Sequence, residues 1–276
     1  MWEPSFSFWS WLMAGVVFVL GACLGSFLNV VLYRHKKGES WVVGRSHCEN
    51  CQKKIAWYDN IPIFSWLWLR GRCRYCHKSI SLIHPVMEFL MGVLFVWWLL
   101  IGVWFFRLTQ EPLNFIQPLY WLGVGVMLVM IVIIDFHEKI IPNTINLFLL
   151  IWTLLYRGVL VGLGAQRSED FLAAVGWAVV FGFIFWLVHL IAAWVYQQDA
   201  FGLGDVKFIA VMGLMIGWPR IVVALIGAFG IGSIVGIVLM VLGKGSRKMQ
   251  LALGPFLVLG TVIALVWGWP IWQWLT

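Results

Sequence analysis

Two carboxylates in this chain stand where an ionisable group is hard to explain by packing. Asp135 closes the apolar run Val132-Ile133-Ile134, and Asp205 ends the stretch Phe201-Gly202-Leu203-Gly204-Asp205. A charge in such surroundings is costly and usually functional. Two carboxyls brought together cannot both ionise easily, so one of them keeps a proton near neutral pH. The ionised member can take a proton from water as it attacks an amide carbonyl. The protonated member can donate to that carbonyl and then help the amine leave. Such a titration belongs to the pair, and neither residue is assigned as acid or base. Gly202 and Gly204 suit this chemistry, because missing side chains let a substrate backbone approach Asp205. The plainer reading makes each acid an interfacial residue or, for Asp205, a helix N-cap. Asp199 and Glu138 are neighbours that spacing alone does not set aside.

A second constellation lies in Cys48-Glu49-Asn50-Cys51 and Cys73-Arg74-Tyr75-Cys76. Each Cys-x-x-Cys knuckle can offer two thiolates to one ion, and two knuckles complete a closed tetrahedral zinc shell. A closed shell has no position for water, so the metal is expected to be structural and to fold a loop with little core. Two disulfides are the alternative, set against it by a reducing cytosol. His47 and His77 flank the knuckles and are read as loop residues rather than ligands. Asp59-Asn60-Ile61-Pro62 reads as a turn. Cys23 follows Leu20-Gly21-Ala22 in a run without preceding basic residues and is read as a packing residue, not a lipoprotein cleavage site.

The elements that position these groups are membrane helices. Of 276 residues 62% are hydrophobic and 11% charged, more apolar surface than a soluble chain of this length can hide. Apolar runs at 8–33, 85–106, 118–135, 143–163, 171–196, 206–218, 220–243 and 250–274 predict an all-α polytopic protein of about eight spans. Residues 34–83 carry ten Lys/Arg against three acids, which is the whole net charge of +7. The positive-inside rule then places this loop in the cytosol and both termini outside. Loops 135–142, 197–206 and 244–249 also face inward, which puts Asp135 and Asp205 on one side. The sixth span is short, and a short helix needs protein or a wet cavity around its ends. Small residues at four-residue spacing (Gly21/Gly25, Gly158/Gly162, Gly213/Gly217, Gly232/Gly236) would permit close helix contacts. Attraction to anionic lipid headgroups accounts for the basic loop, so no nucleic-acid partner is expected. The predicted organisation is a first transmembrane helix at 1–33, a zinc-binding loop domain at 34–84 and a transmembrane core at 85–276.

Taken in order, the motifs resemble the type IV prepilin peptidases, membrane aspartic peptidases of the Gly-x-Gly-Asp type. The resemblance is carried by Gly25-Ser26-Phe27-Leu28-Asn29-Val30 with Arg34, and by Arg45-Ser46-His47-Cys48 through Cys51. It continues through Asp59-Asn60-Ile61-Pro62, Ser65, Gly71, Cys73, Cys76, Ile80-Ser81, Pro85 and Glu88. Ile134-Asp135 with Ile141-Pro142-Asn143, Gly202-Leu203-Gly204-Asp205-Val206-Lys207 and Gly254-Pro255-Phe256 complete it. It implies that Asp135 and Asp205 are the catalytic pair and that Cys48, Cys51, Cys73 and Cys76 bind zinc. The implied substrates are prepilins or pseudopilins of type IV pili and type II secretion, cut after Gly at the cytoplasmic face of the bacterial inner membrane. The resemblance also implies N-methylation of the new terminus with S-adenosylmethionine, for which no binding residue is assigned. Departures at His35, Glu49, Asn143 and Ala200-Phe201 remove no catalytic or metal-binding group and bear on substrate preference. Asn29, Lys207 and Glu88 match motifs but serve equally well as packing or hydrogen-bonding residues. A transporter or scaffold using Asp135 and Asp205 with Lys139 and Lys207 is the competing class, and a zinc-dependent membrane hydrolase is a second.

Overall fold

A computed structural model of the 276-residue chain describes residues 8–37, 44–102, 112–196, 201–243 and 252–276. It is nearly all helical. The helices are α1 (Phe8–Lys37), α2 (Phe64–Trp68), α3 (Ile83–Trp97, continued by a π turn at Trp98–Gly102), α4 (Leu113–Glu138) and α5 (Asn143–Gly162). They are followed by α6 (Ser168–Tyr196), α7 (Leu203–Ile216), α8 (Arg220–Val241) and α9 (Gly254–Leu275). Extended pairing among the described residues is limited to two isolated bridges, His47 with Lys54 and Arg72 with Ser79. Among the described residues, seven helices are long and apolar enough to cross a membrane. The expected short sixth span is α7, at 14 residues about 21 Å long and well short of the ~30 Å hydrocarbon core.

Several of the expected ends shift. Helix α4 starts at Leu113 rather than near 118, because it includes the polar Asn114 and Gln117 that a hydropathy pattern leaves out. Helix α7 runs 203–216 rather than 206–218, ending where Gly217 takes a left-handed φ of 66°.

The chain divides into two compact units, residues 1–129 and 130–276, with the boundary inside α4. In the first, α1 packs along α3. A Cβ on Gly21 would lie 2.5 Å from Met91 O, and one on Gly25 2.8 Å from Glu88 Cα, so both positions require glycine. In the second unit α7 is the centre. Nine of its residues, from Val206 to Ile216, are buried, against α5, α6 and α9. A helix apolar on all sides belongs inside a bundle, and surrounding protein replaces the bilayer that α7 is too short to cross. Gly213 permits this packing, since a Cβ there would stand 2.9 Å from Ala178 Cα. Gly158 and Gly162 face nothing within 4 Å and take no part in a close helix contact. Helix α6 leaves Val179, Phe183 and Ile191 largely exposed, an apolar surface suited to lipid.

Candidate functional site: an aspartate pair and a four-cysteine centre

Asp135 occupies the last turn of α4 and is 3% exposed. Its Oδ2 accepts a hydrogen bond of 2.7 Å from the backbone N–H of Gly254, the first residue of α9. A helix N-terminus presents unsatisfied N–H groups and a positive dipole end, so it is a natural seat for a carboxylate oxygen. A Cβ on Gly254 would stand 2.8 Å from that oxygen, so any other residue pushes the carboxyl away. Gly254→Ala is accordingly expected to lower peptidase activity at least about tenfold while the helical circular-dichroism signal stays unchanged.

Asp205 is the third residue of α7. Gly202 is the N-cap and no side chain caps the helix, so the capping role considered for Asp205 is not the one it has. Its N–H donates to Gly202 O at 3.1 Å, while Oδ1 is buried and accepts no hydrogen bond from the protein. An uncommitted carboxyl oxygen at a helix start is free for other chemistry. The turn that carries Asp205 rests on the segment directly following Asp135, which brings the two carboxyls to the same helix junction.

Three contacts hold the Gly-x-Gly-Asp turn in place. A Cβ on Gly204 would meet Ile141 O at 2.7 Å, so the turn lies directly on the segment that follows Asp135. Asn146, 4% exposed in α5, donates from Nδ2 to Gly204 O at 3.0 Å. The His189 ring nitrogen Nδ1 lies 2.5 Å from Phe201 O. Neither Asn146 nor His189 is picked out by motif or spacing. The signal was their isolation as polar residues in the apolar runs of α5 and α6. Lys207 donates to Asn143 Oδ1 at 2.7 Å rather than to an aspartate, so the departure at Asn143 retains an acceptor for the lysine. The Lys139 N–H donates to Asp135 O at the end of α4, with Lys139 in the left-handed region at φ 55°. Glu138 is half-buried three residues beyond Asp135, and Asp199 lies outside the described residues, as do loop positions 107–111 and 244–249.

The cysteines form the second centre. All four are free thiols, and their Sγ atoms lie within 4.8 Å of one another, with Cys48 and Cys76 at 3.8 Å. Four sulfurs about 2.3 Å from a central zinc would be roughly 3.8 Å apart, so the cluster matches a tetrahedral thiolate shell and the disulfide alternative is not realised. The two knuckles repeat one backbone design. Cys48 N–H donates to Lys53 O and Gln52 N–H to Cys48 O; Cys73 N–H donates to Lys78 O and His77 N–H to Cys73 O. Gln52 and His77 both take a left-handed turn, with φ 57° and 56°. His77 is thus a turn residue, and His47 packs edge-on to Tyr33; neither belongs to the cluster. Lys78 N–H also bonds the Cys76 sulfur, chief among the groups that hold that thiol down to about 6.

The remaining motif residues fasten this lobe to the helices. Asn29 donates to His84 O at 3.2 Å, Arg34 to Gly44 O and Arg45 O, and Glu88 Oε2 accepts from Ile63 N–H at 2.7 Å. Ser65, beyond the 3-10 turn at Trp57–Asn60, accepts from Ile61 N–H and donates to Tyr58 O, while Arg74 pairs with Asp59 through two bonds of 2.7 and 2.6 Å. Asn29 and Glu88 therefore have structural work of their own.

Residues 19–101 match the model for the bacterial peptidase A24 N-terminal domain, and residues 121–237 match that for the type IV leader peptidase family. A prepilin leader peptidase/N-methyltransferase from Pectobacterium carotovorum is 30% identical over 91% of this chain and 92% of its own length. The chain belongs to the type IV leader peptidase family. A relative of the same description from Aeromonas hydrophila is 28% identical over 96% of this chain and 94% of its own length. Another, from Myxococcus xanthus, is 36% identical over 79% of this chain, which spans only 60% of that relative's length. No solved structure matches the chain significantly. The first family match contains all four cysteines, and the second contains both Asp135 and Asp205.

Proposed function

We propose that this chain is a membrane aspartic endopeptidase that removes the basic leader of type IV prepilins or pseudopilins after Gly, with Asp135 and Asp205 as the catalytic pair. One observation carries the reading. A buried carboxyl anchored by the N-terminus of α9 is followed directly by the segment on which the turn carrying a second carboxyl rests, and the Oδ1 of that second carboxyl is uncommitted. In the reaction one carboxylate takes a proton from the attacking water while the other carboxyl protonates the scissile carbonyl; the first then passes its proton to the departing amine as the re-forming carbonyl returns a proton to the second. Gly254 N–H orients Asp135, and Asn146 with His189 orients the turn that carries Asp205. The basic loop at 34–83 favours a cytosolic lobe, with periplasmic termini, in the bacterial inner membrane. A leader held in the cytosol and an apolar helix entering the bilayer would bring the scissile bond to the end of α4 and the start of α7.

The same reading assigns 1–33 to a first transmembrane helix, 34–84 to a zinc lobe and 85–276 to the peptidase core. Zinc held by Cys48, Cys51, Cys73 and Cys76 would supply a cross-link rather than a reactive water. The names of the relatives also support N-methylation of the new terminus, S-adenosylmethionine supplying the methyl group when bound. A cavity of about 410 Å3 in the first unit, lined among others by Tyr33, Asn29, Trp66 and Glu88, has the size and mixed polarity for a ligand of that class. Co-expression with a prepilin and mass spectrometry of the product tests both activities. The expected product starts immediately after the leader Gly and carries one added methyl group. An intact prepilin would overturn the peptidase reading, and a cleaved, unmethylated one would overturn the second activity alone.

A further inference from the structure

The zinc lobe turns an apolar surface outward where a soluble loop would place polar residues. Phe64, Leu67 and Trp68 share one face of α2 and are 69%, 59% and 82% exposed; Trp57 nearby is 81% exposed. The inner side of the same short helix is Ser65, buried and doubly hydrogen-bonded, and Trp66, whose indole N–H donates to Ile80 O. The helix is thus polar inward and apolar outward. Arg70 and Arg72 follow directly, both exposed. Large aromatic and aliphatic side chains bordered by arginine are the composition of segments that lie in a membrane interface.

The depth of this surface is fixed by a second observation. Ile63 N–H, immediately before α2, bonds Glu88 Oε2 at 2.7 Å. Glu88 is five residues into α3, a helix long and apolar enough to span a bilayer, so it lies about 7.5 Å along that helix. The headgroup region on one side of a bilayer is of that order of thickness. Ile63 adopts φ 63°, a region a β-branched residue enters only when its surroundings impose it. The chain is therefore drawn down to the first turns of α3 at the point where α2 begins.

We infer that α2 and Trp57 are embedded in the headgroup–acyl boundary of an anionic leaflet, with Arg70 and Arg72 on lipid phosphates, docking the four-cysteine lobe on the membrane. The occupant is lipid rather than protein because the patch couples aromatic side chains to positive charge and is tied to the membrane end of a spanning helix. This inference does not depend on the peptidase reading.

The full-length protein, with p-benzoylphenylalanine in place of Phe64 or, separately, Trp68, is placed in nanodiscs of phosphatidylglycerol and phosphatidylcholine and irradiated. Mass spectrometry then identifies the adducts. Phospholipid adducts are expected at both positions, at least about fivefold above those from a probe replacing Gln52 in the first knuckle. Their yield should fall severalfold when phosphatidylglycerol is omitted. Each variant must keep the zinc content of the unsubstituted protein; if one does not, the other probe site is decisive. Adducts to a second copy, to the chain itself or to an added prepilin overturn the inference, as does lipid labelling no greater than at Gln52.

Discussion

Asp205→Asn and Asp135→Asn should each reduce prepilin cleavage by about a thousandfold or more, with zinc content and helical signal unchanged. Asparagine keeps the shape of the side chain and removes its proton chemistry, which for one acid–base group is worth roughly 10²–10⁴ in rate. In the Asp135 variant the amide oxygen can still accept from Gly254 N–H, so the junction of α4 and α9 retains its hydrogen bond. In the Asp205 variant no protein donor is lost at Oδ1 because that atom has none. The loss should therefore appear in kcat rather than in folding or substrate binding. Removing either partner should cost about as much as removing both, since each half of the pair is inert without the other. Glu138→Gln should stay within about twofold of wild type, as a residue outside the pair. Normal cleavage by both aspartate variants would sink the peptidase assignment and favour the transporter or scaffold alternative. Loss in Asp199→Asn with activity retained in Asp205→Asn would move the second carboxylate instead.

Much of this arrangement is legible in the sequence itself, for identifiable physical reasons. Long apolar runs are forced by the thickness of the bilayer, so the helices and even the short α7 could be read from hydropathy. Cysteine spacing is equally direct, because a knuckle is a local structure and its two thiols converge on their own. What spacing could not supply was the relation between Asp135 and Asp205, which depends on packing between helices far apart in sequence. The Gly-x-Gly-Asp turn illustrates the limit. The glycines suggested room for substrate, yet Gly204 is small because Ile141 O presses against it. Gly254 likewise entered as part of a motif, whereas its role is to bring a backbone donor against Asp135 without a Cβ. Among the small-residue rows, Gly21/Gly25 mark a close contact and Gly158/Gly162 do not, although the two patterns are identical on paper.

Removal of the metal is expected to unfold the cysteine lobe while leaving the membrane helices intact. Between residues 44 and 82 only Ser65, Gly71 and Cys73 are buried, so the lobe has almost no hydrophobic core. The Asp59–Arg74 pair, whose arginine is exposed, and the exposed Lys78–Asn50 bond are contacts of modest individual value. Structural zinc binding is worth roughly 10 kcal/mol or more in small domains, enough to outweigh everything else the lobe contains. Cys73→Ser should therefore take zinc from about one equivalent to below about a tenth, and amides across 44–82 should lose exchange protection by orders of magnitude. Amides of α7 and α9, in the other unit, should stay protected. Acid should release the ion too, since protons compete with the metal for the four thiolates. The relation between unfolding and cleavage then decides what the metal does. With a scaffold metal, activity on chelation is lost only as the lobe loses protection. Abrupt loss of cleavage from a lobe that stays folded would instead make the ion a participant in hydrolysis. A closed shell of four thiolates with no room for water predicts the first outcome.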